Sequence, residues 1–228
     1  MPIVEGDMTI SKIVVVIPAH NEEDLLESCL VSVRTAALHS SVPVDTIVVA
    51  DSCTDRTAEI AARFGQVLQV AHRNVGAARR AGFRAVKGPH SIWMATTDAD
   101  SVVPNDWLSS HMMHAEAGVE LLAGTVQVTN WGAFPAEVQR DYERRYRMAL
   151  PSTRIHGCNL GFDGRRYVSI GEFAPLALHE DVDLVHRFVE AGARVVWSDE
   201  SPVVTSSRRT SRAPGGFATH LTSLEVVR

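Results

Sequence analysis

Cysteine is scarce: the chain of 228 residues has three, Cys29, Cys53 and Cys158, and no CxxC pair. That scarcity excludes a zinc ribbon and a disulfide framework, and it fits a reducing compartment, so a cytoplasmic protein is expected. No run approaches the roughly 18 consecutive apolar residues of a membrane span. Residues 1–7 lack the basic region and apolar block of a signal peptide. An integral membrane segment is therefore not expected, whereas peripheral membrane association stays compatible with the sequence. Excess basic charge is missing too; the formal charge of -5 argues against a nucleic-acid partner. No Pro/Gly/Ser-rich linker, repeat or low-complexity tract divides the chain, and its length suits one sizeable core, read as a single domain over 1–228.

What is present is a set of valine- and isoleucine-rich runs, each ending in a polar loop. Residues 13–17 lead into Pro18, Ala19, His20, Asn21 and Glu22; residues 46–50 into Asp51, Ser52 and Cys53; residues 67–70 into His72, Arg73 and Asn74. A helical pattern follows each. Continuous apolar runs of this kind indicate strands covered on both faces, as in a parallel α/β sheet, where ligands collect beyond the carboxyl ends of the strands. A fourth run, 91–95, ends in Thr96, Thr97, Asp98, Ala99 and Asp100. On a strand, Asp98 and Asp100 share a face, and two hard oxygen donors there suit a divalent cation held against a diphosphate. Taken alone, the same pattern also describes a solvated turn.

The remaining pattern predicts helices over about 22–37, from 54, over 76–86, from 104, over 136–148 and over 177–192, with Asn21 as a plausible cap of the first. Strands are expected over 120–128, 155–162 and 193–197, the second interrupted by glycine where a ligand approaches the backbone. A basic loop, 206–216, precedes a last helix containing His220.

Pro18 to Glu22, the Asp51 loop, Arg73 to Arg79, Asp98-Ala99-Asp100, Gly157-Cys158-Asn159 and Glu180-Asp181 together, in this order, resemble the family 2 glycosyltransferases. The resemblance runs from about residue 12 to 209. It implies a GT-A fold, a Rossmann-like α/β/α sandwich with a mostly parallel central sheet, whose half at about 10–100 binds nucleotide and whose half at about 101–228 binds acceptor. It further implies transfer of a sugar from a UDP- or GDP-sugar to an acceptor hydroxyl, with Mg²⁺ or Mn²⁺ and with inversion.

Residue by residue, the resemblance gives Pro18, Ala19, Asn21, Glu22 and Asp51 to the base and ribose, and Gly76, Ala77 and Arg79 to the ribose and diphosphate. Asp98, Ala99 and Asp100 match the Asp-x-Asp motif, with Asp100 the direct metal ligand; His220 is the tail's candidate for a third ligand. Glu180 and Asp181 match the acidic pair that supplies the base, assigned to Asp181, which takes the acceptor's proton. His156 and Asn159 fall where donor sugar or acceptor is contacted. Arg208 and Arg209 either close over the diphosphate or form a solvated loop. Two other readings compete: a sugar nucleotidyltransferase, which usually needs a Gly-rich, Lys/Arg-containing signature that residues 18–22 lack, and a degenerate nucleotide-binding module.

Overall fold

Along β1 (Lys12–Ala19) the side chains of Ile13, Val15 and Ile17 enter one hydrophobic core, and those of Val14 and Val16 enter another. A strand alternates its side chains between faces, so an unbroken apolar run is the signature of a sheet buried on both sides. The computed structural model describes residues 9–132, 134–209 and 216–226. Among them β2 (Val44–Asp51), β3 (Gln66–Val70) and β4 (Ile92–Thr96) complete the parallel run, with β4 and β2 flanking β1 and β3 outside β2.

The second half extends the same sheet. β6 (Leu160–Asp163) lies antiparallel between β4 and β5 (Leu121–Gln127), and β7 (Val195–Val204) runs parallel to β5 at the edge. The order is β3-β2-β1-β4-β6-β5-β7. Helices α1 (Leu26–Ala37), α2 (Thr57–Ala62) and α4 (Trp107–Glu116) carry apolar residues into the first core. Helices α3 (Val75–Arg84), α6 (Gly164–Ser169) and α7 (Glu180–Glu190) carry theirs into the second. A third, smaller aromatic core joins α5 (Ala136–Met148) to α8 (Phe217–Val226) through Tyr142, Phe217 and Leu221. No helix among the described residues is long and apolar enough to cross a membrane.

The expected strands at 13–17, 46–50, 67–70 and 120–128 are present, and α5 matches its expected range. Three local readings are corrected. Residues 155–159 are not strand; only Leu160–Asp163 pairs, and it does so antiparallel. The strand expected at 193–197 continues to Val204 and feeds Thr205 to Arg208 toward the sheet's loop end. Asn21 does not cap α1, which begins at Leu26. Asn21 adopts φ 52°, and its Oδ1 accepts from the Thr54 N–H at 2.8 Å, so it ties the loop after β1 to the loop after β2. Asn tolerates this left-handed backbone better than most residues. Residues 1–7, and positions 210–215 of the expected basic loop, lie outside the described residues.

Candidate active site

The loops at the carboxyl ends of β1, β2 and β4 open onto one cleft of about 970 Å³. Pro18, Ala19, Glu22, Asp51, Arg79, Asp98, Ala99 and Asp100 all line it, as do Glu180, Asp181 and His220. Asn21, Gly76 and Ala77 do not.

One lining residue of the cleft is a buried arginine. Arg79 is 2% exposed, yet it carries a full charge into the interior. Its Nη2 donates to Asp98 Oδ1 at 2.5 Å, its Nη1 to Glu180 Oε1, and its Nε to Thr96 Oγ1 at 3.2 Å. An isolated buried charge is prohibitive, and this one is tolerated because two carboxylates from different elements meet it. Gly157 makes room: a β-carbon there would stand 2.7 Å from Arg79 Nη2. Arg79 thereby joins the end of β4 to the start of α7.

Glu180 is therefore half of a buried ion pair. Burial raises its pKa, Arg79 opposes that, and the neighbouring Asp181 adds to it. Its neighbour is placed differently: Asp181 Oδ2 accepts from the Gly157 N–H at 2.7 Å and Oδ1 from the Val182 N–H at 2.8 Å. Each oxygen keeps a second lone pair. Of the two acids that the sequence offers as base, Asp181 is the one with no arginine ion pair among the described residues.

Asp98 and Asp100 stand beyond the end of β4 rather than on the strand, so strand alternation does not align them, yet both line the cleft. Asp100 Oδ2 is 3.1 Å from Arg208 Nη2, and Arg208 Nη1 donates to both oxygens of Glu22 at 2.7 Å. Burial pushes the Asp100 pKa up to about 6, Arg208 works against it, and Asp98 and Glu22 add repulsion. Clustered hard oxygens that repel one another suit a divalent cation, which would relieve that repulsion. Asp100, with Asp98 beside it, thus fits Mg²⁺ or Mn²⁺. The expected third ligand does not join them. Among the described residues no three His, Cys, Asp or Glu side chains gather as a ligand set. His220 is exposed on α8, its ring 6.3 Å from that of Tyr142 at the edge of the aromatic core, and Arg208 takes up the Asp100 and Glu22 oxygens instead.

Asp51 lines the cleft with its carboxylate already engaged. Oδ1 accepts from the N–H groups of His72 at 2.7 Å and Arg73 at 2.8 Å, and Oδ2 from Asn74 at 2.9 Å. Burial works to raise its pKa, but these donors together hold it below the usual carboxylate value. Asp51 shapes the loop that walls the cleft. Gly76 is a packing glycine: a β-carbon there would fall 2.2 Å from the Ala174 carbonyl oxygen, and its N–H donates to Leu176 O at 3.1 Å. Ala77 donates its N–H to the capping Asn74 Oδ1 at 2.8 Å. Asn159, expected at the substrate, is instead buried and spent on structure. It accepts from Trp107 Nε1 at 2.8 Å and donates to Thr125 O at 2.9 Å and Ser201 O at 3.1 Å.

Sequence reasoning missed the wall formed by Tyr142, Arg145, Tyr146 and Arg154. The signal was the tyrosine pair spaced by four on an otherwise polar helix. His156 belongs to this wall; its Nε2 lies 3.0 Å from Tyr146 Oη, and burial first among its causes lowers its pKa to about 4, which leaves the ring neutral.

A parallel α/β sheet with an acidic cleft at the loop end, bounded by an added antiparallel strand, is the architecture of the GT-A class. Residues 14–169 match the family description "Glycosyl transferase family 2", and the chain belongs to that family. Among solved structures it is similar to the mannosyltransferase PcManGT from Pyrobaculum calidifontis, in complex with GDP-Man and Mn²⁺, with TM-score 0.69 and 18% identity over 90% of this chain and 60% of that one. It is similar to S. aureus TarS, with TM-score 0.63 and 14% identity over 86% and 60%. It is also similar to the glucosyl-3-phosphoglycerate synthase of Mycobacterium tuberculosis, in complex with Mn²⁺, UDP and phosphoglyceric acid, with TM-score 0.64 and 17% identity over 95% and 78%. The chain spans about six tenths of the length of the first two. A comparison with curated proteins finds no match.

Proposed function

We propose that this chain transfers a sugar from a nucleotide sugar, a UDP- or GDP-sugar, to an acceptor hydroxyl, with inversion and with the help of Mg²⁺ or Mn²⁺. The observation that carries the reading is the meeting, in one cleft, of the Asp98–Asp100 turn with Asp181. Asp100 would hold the metal, with Asp98 beside it; a bound divalent cation supplies charge neutralisation for the departing nucleoside diphosphate. Pro18, Ala19 and the loop ordered by Asp51 form the wall for base and ribose. Arg79 holds Asp98 in place and sets the start of α7, from which Asp181 accepts the proton of the acceptor hydroxyl as that oxygen attacks the anomeric carbon. Attack opposite the leaving diphosphate inverts the anomeric centre. The mannosyltransferase bound to GDP-Man and Mn²⁺ and the synthase bound to UDP and Mn²⁺ support the donor and metal assignments by similarity of fold.

Two measurements test it. Thermal unfolding with UDP or GDP, each with Mn²⁺ and then with EDTA, is expected to show a metal-dependent rise for one nucleotide; a ligand at 100 times its dissociation constant adds about 2.7 kcal/mol. With that nucleotide's sugars as donors, Asp181→Asn is expected to keep nucleotide affinity while transfer falls about 10²- to 10⁴-fold. Undiminished turnover in this variant would remove Asp181 from the role of base.

A further inference from the structure

The segments that line the cleft differ in charge. Every carboxylate among its described lining residues, Glu22, Asp51, Asp98, Asp100, Glu180 and Asp181, comes from the loops of the β1, β2 and β4 ends or from the start of α7. The lining contributed by residues 142–156 and 216–220 contains Arg145 and Arg154 and no acid.

Of these two arginines, Arg154 is the unusual one. It has no ion-pair partner among the described residues, and its Nε is buried without a hydrogen-bond acceptor. Its guanidinium lies over the Tyr146 ring, 5.5 Å from the ring centre. Tyr146 is itself fixed: its Oη accepts from the Val126 N–H at 3.0 Å and lies 3.0 Å from His156 Nε2. The aromatic face orients the guanidinium plane but does not satisfy its donors. His156 carries no compensating negative charge. Arg145 is balanced on its outer side by Asp141 Oδ2 at 2.8 Å and still reaches the cleft wall.

A partly exposed guanidinium with a buried, unpaired Nε–H, on a stretch of lining without acids, suits an anion from the ligand. We propose that the acceptor carries an oxyanion group, a phosphate or a carboxylate, bound by Arg154 with Arg145 beside it. The inference rests on the transferase reading and adds to it the chemical class of the acceptor. Arg154 comes from the acid-free stretch of the lining and not from the loops of Asp98 and Asp100, to which the diphosphate and its metal are assigned, so it is given to the acceptor rather than to the donor's diphosphate.

The test is calorimetric titration of the full chain with inorganic phosphate and with acetate, before and after saturation with the nucleotide and Mn²⁺. The comparison is repeated with Arg154→Gln, which keeps the stem, and Arg154→Lys, which keeps the charge. Phosphate, acetate or both are expected to bind the nucleotide-loaded protein, and the stronger of the two identifies the acceptor's group. Arg154→Gln is expected to weaken that binding by about tenfold or more, with Arg154→Lys in between, while nucleotide affinity changes less than about twofold. Absence of binding by both anions, binding indifferent to Arg154, or anions displaced by nucleotide would each overturn the proposal. Nucleotide titration reads the donor site separately: if no nucleotide binds, the transferase reading fails whatever the anions do.

Discussion

Arg79 shows at the scale of one residue what a sequence discloses and what it hides. Its place on a helix that follows a strand and is small on one side and basic on another marks it as positive charge near the crevice. Its burial is not legible, because it depends on Glu180, 101 positions further along. Removing the guanidinium leaves Glu180 buried beside nothing, so Arg79→Leu is expected to cost about 3 kcal/mol, as for a broken buried pair. The double variant Arg79→Leu/Glu180→Leu is expected to recover at least half of that loss, since an apolar pair needs no counter-charge. Urea unfolding of the two single variants and the double checks this; an additive double loss would mean that the pair does not balance itself. The same contrast separates Glu180 from Asp181. Both read as acids at a helix start, and only the tertiary partner shows that one is committed to Arg79 while the other remains open to a substrate.

At the scale of elements, local patterns located most strands and helices, and the errors fall where a distant segment decides the outcome. The run 155–162 reads as a strand interrupted by glycine, yet Asn159 is drawn out by Trp107 and Ser201, and only four residues pair. The resemblance gives Gly76 to the ribose and diphosphate, and the fold makes it the contact between α3 and the segment leading to α7. Gly76→Ala is expected to destabilise by about 3 kcal/mol through overpacking against a carbonyl that cannot withdraw. A urea midpoint close to that of the natural sequence would show that the segment 174–176 can shift. The segment after β7 carries a different consequence. Arg208 pairs with both Glu22 and Asp100, so it competes with any cation for the same oxygens. Arg208→Ala is expected to raise Mn²⁺ affinity in the absence of nucleotide by about tenfold, the equivalent of about 1.4 kcal/mol. Isothermal titration with Mn²⁺ measures it directly, and an unchanged affinity would show that the guanidinium does not obstruct the metal.

For the whole molecule, stability against pH follows from polar groups that the two-sided sheet encloses. His111, on the side of α4 that meets β4, is 1% exposed, with the Trp93 Nε1–H donating to its Nδ1 at 2.9 Å. Burial, first among its causes, and the nearby His114 lower its pKa to about 3, against the hydrogen-bonding Asn159. The folded protein thus binds this proton far less readily than the unfolded chain, whose histidines titrate near about 6.5. The stability contributed by neutral His111 is complete above that value and is lost as pH falls below it, at up to about 1.4 kcal/mol per pH unit. His156 and His220, whose pKa values are also lowered, act with the same sign. Asp51 has a depressed pKa, and its contribution is lost only at lower pH. His111→Gln keeps an oxygen that can accept from Trp93 and has no group titrating in this range. Urea unfolding at steps from pH 7 to 4.5 is therefore expected to show a shallower decline for His111→Gln than for the natural sequence, by close to one proton. The slope is the informative quantity, because the substitution also alters packing at every pH. Parallel slopes would mean that the ring accepts its proton inside the fold, and that the sheet's first core is more open to water than its burial implies.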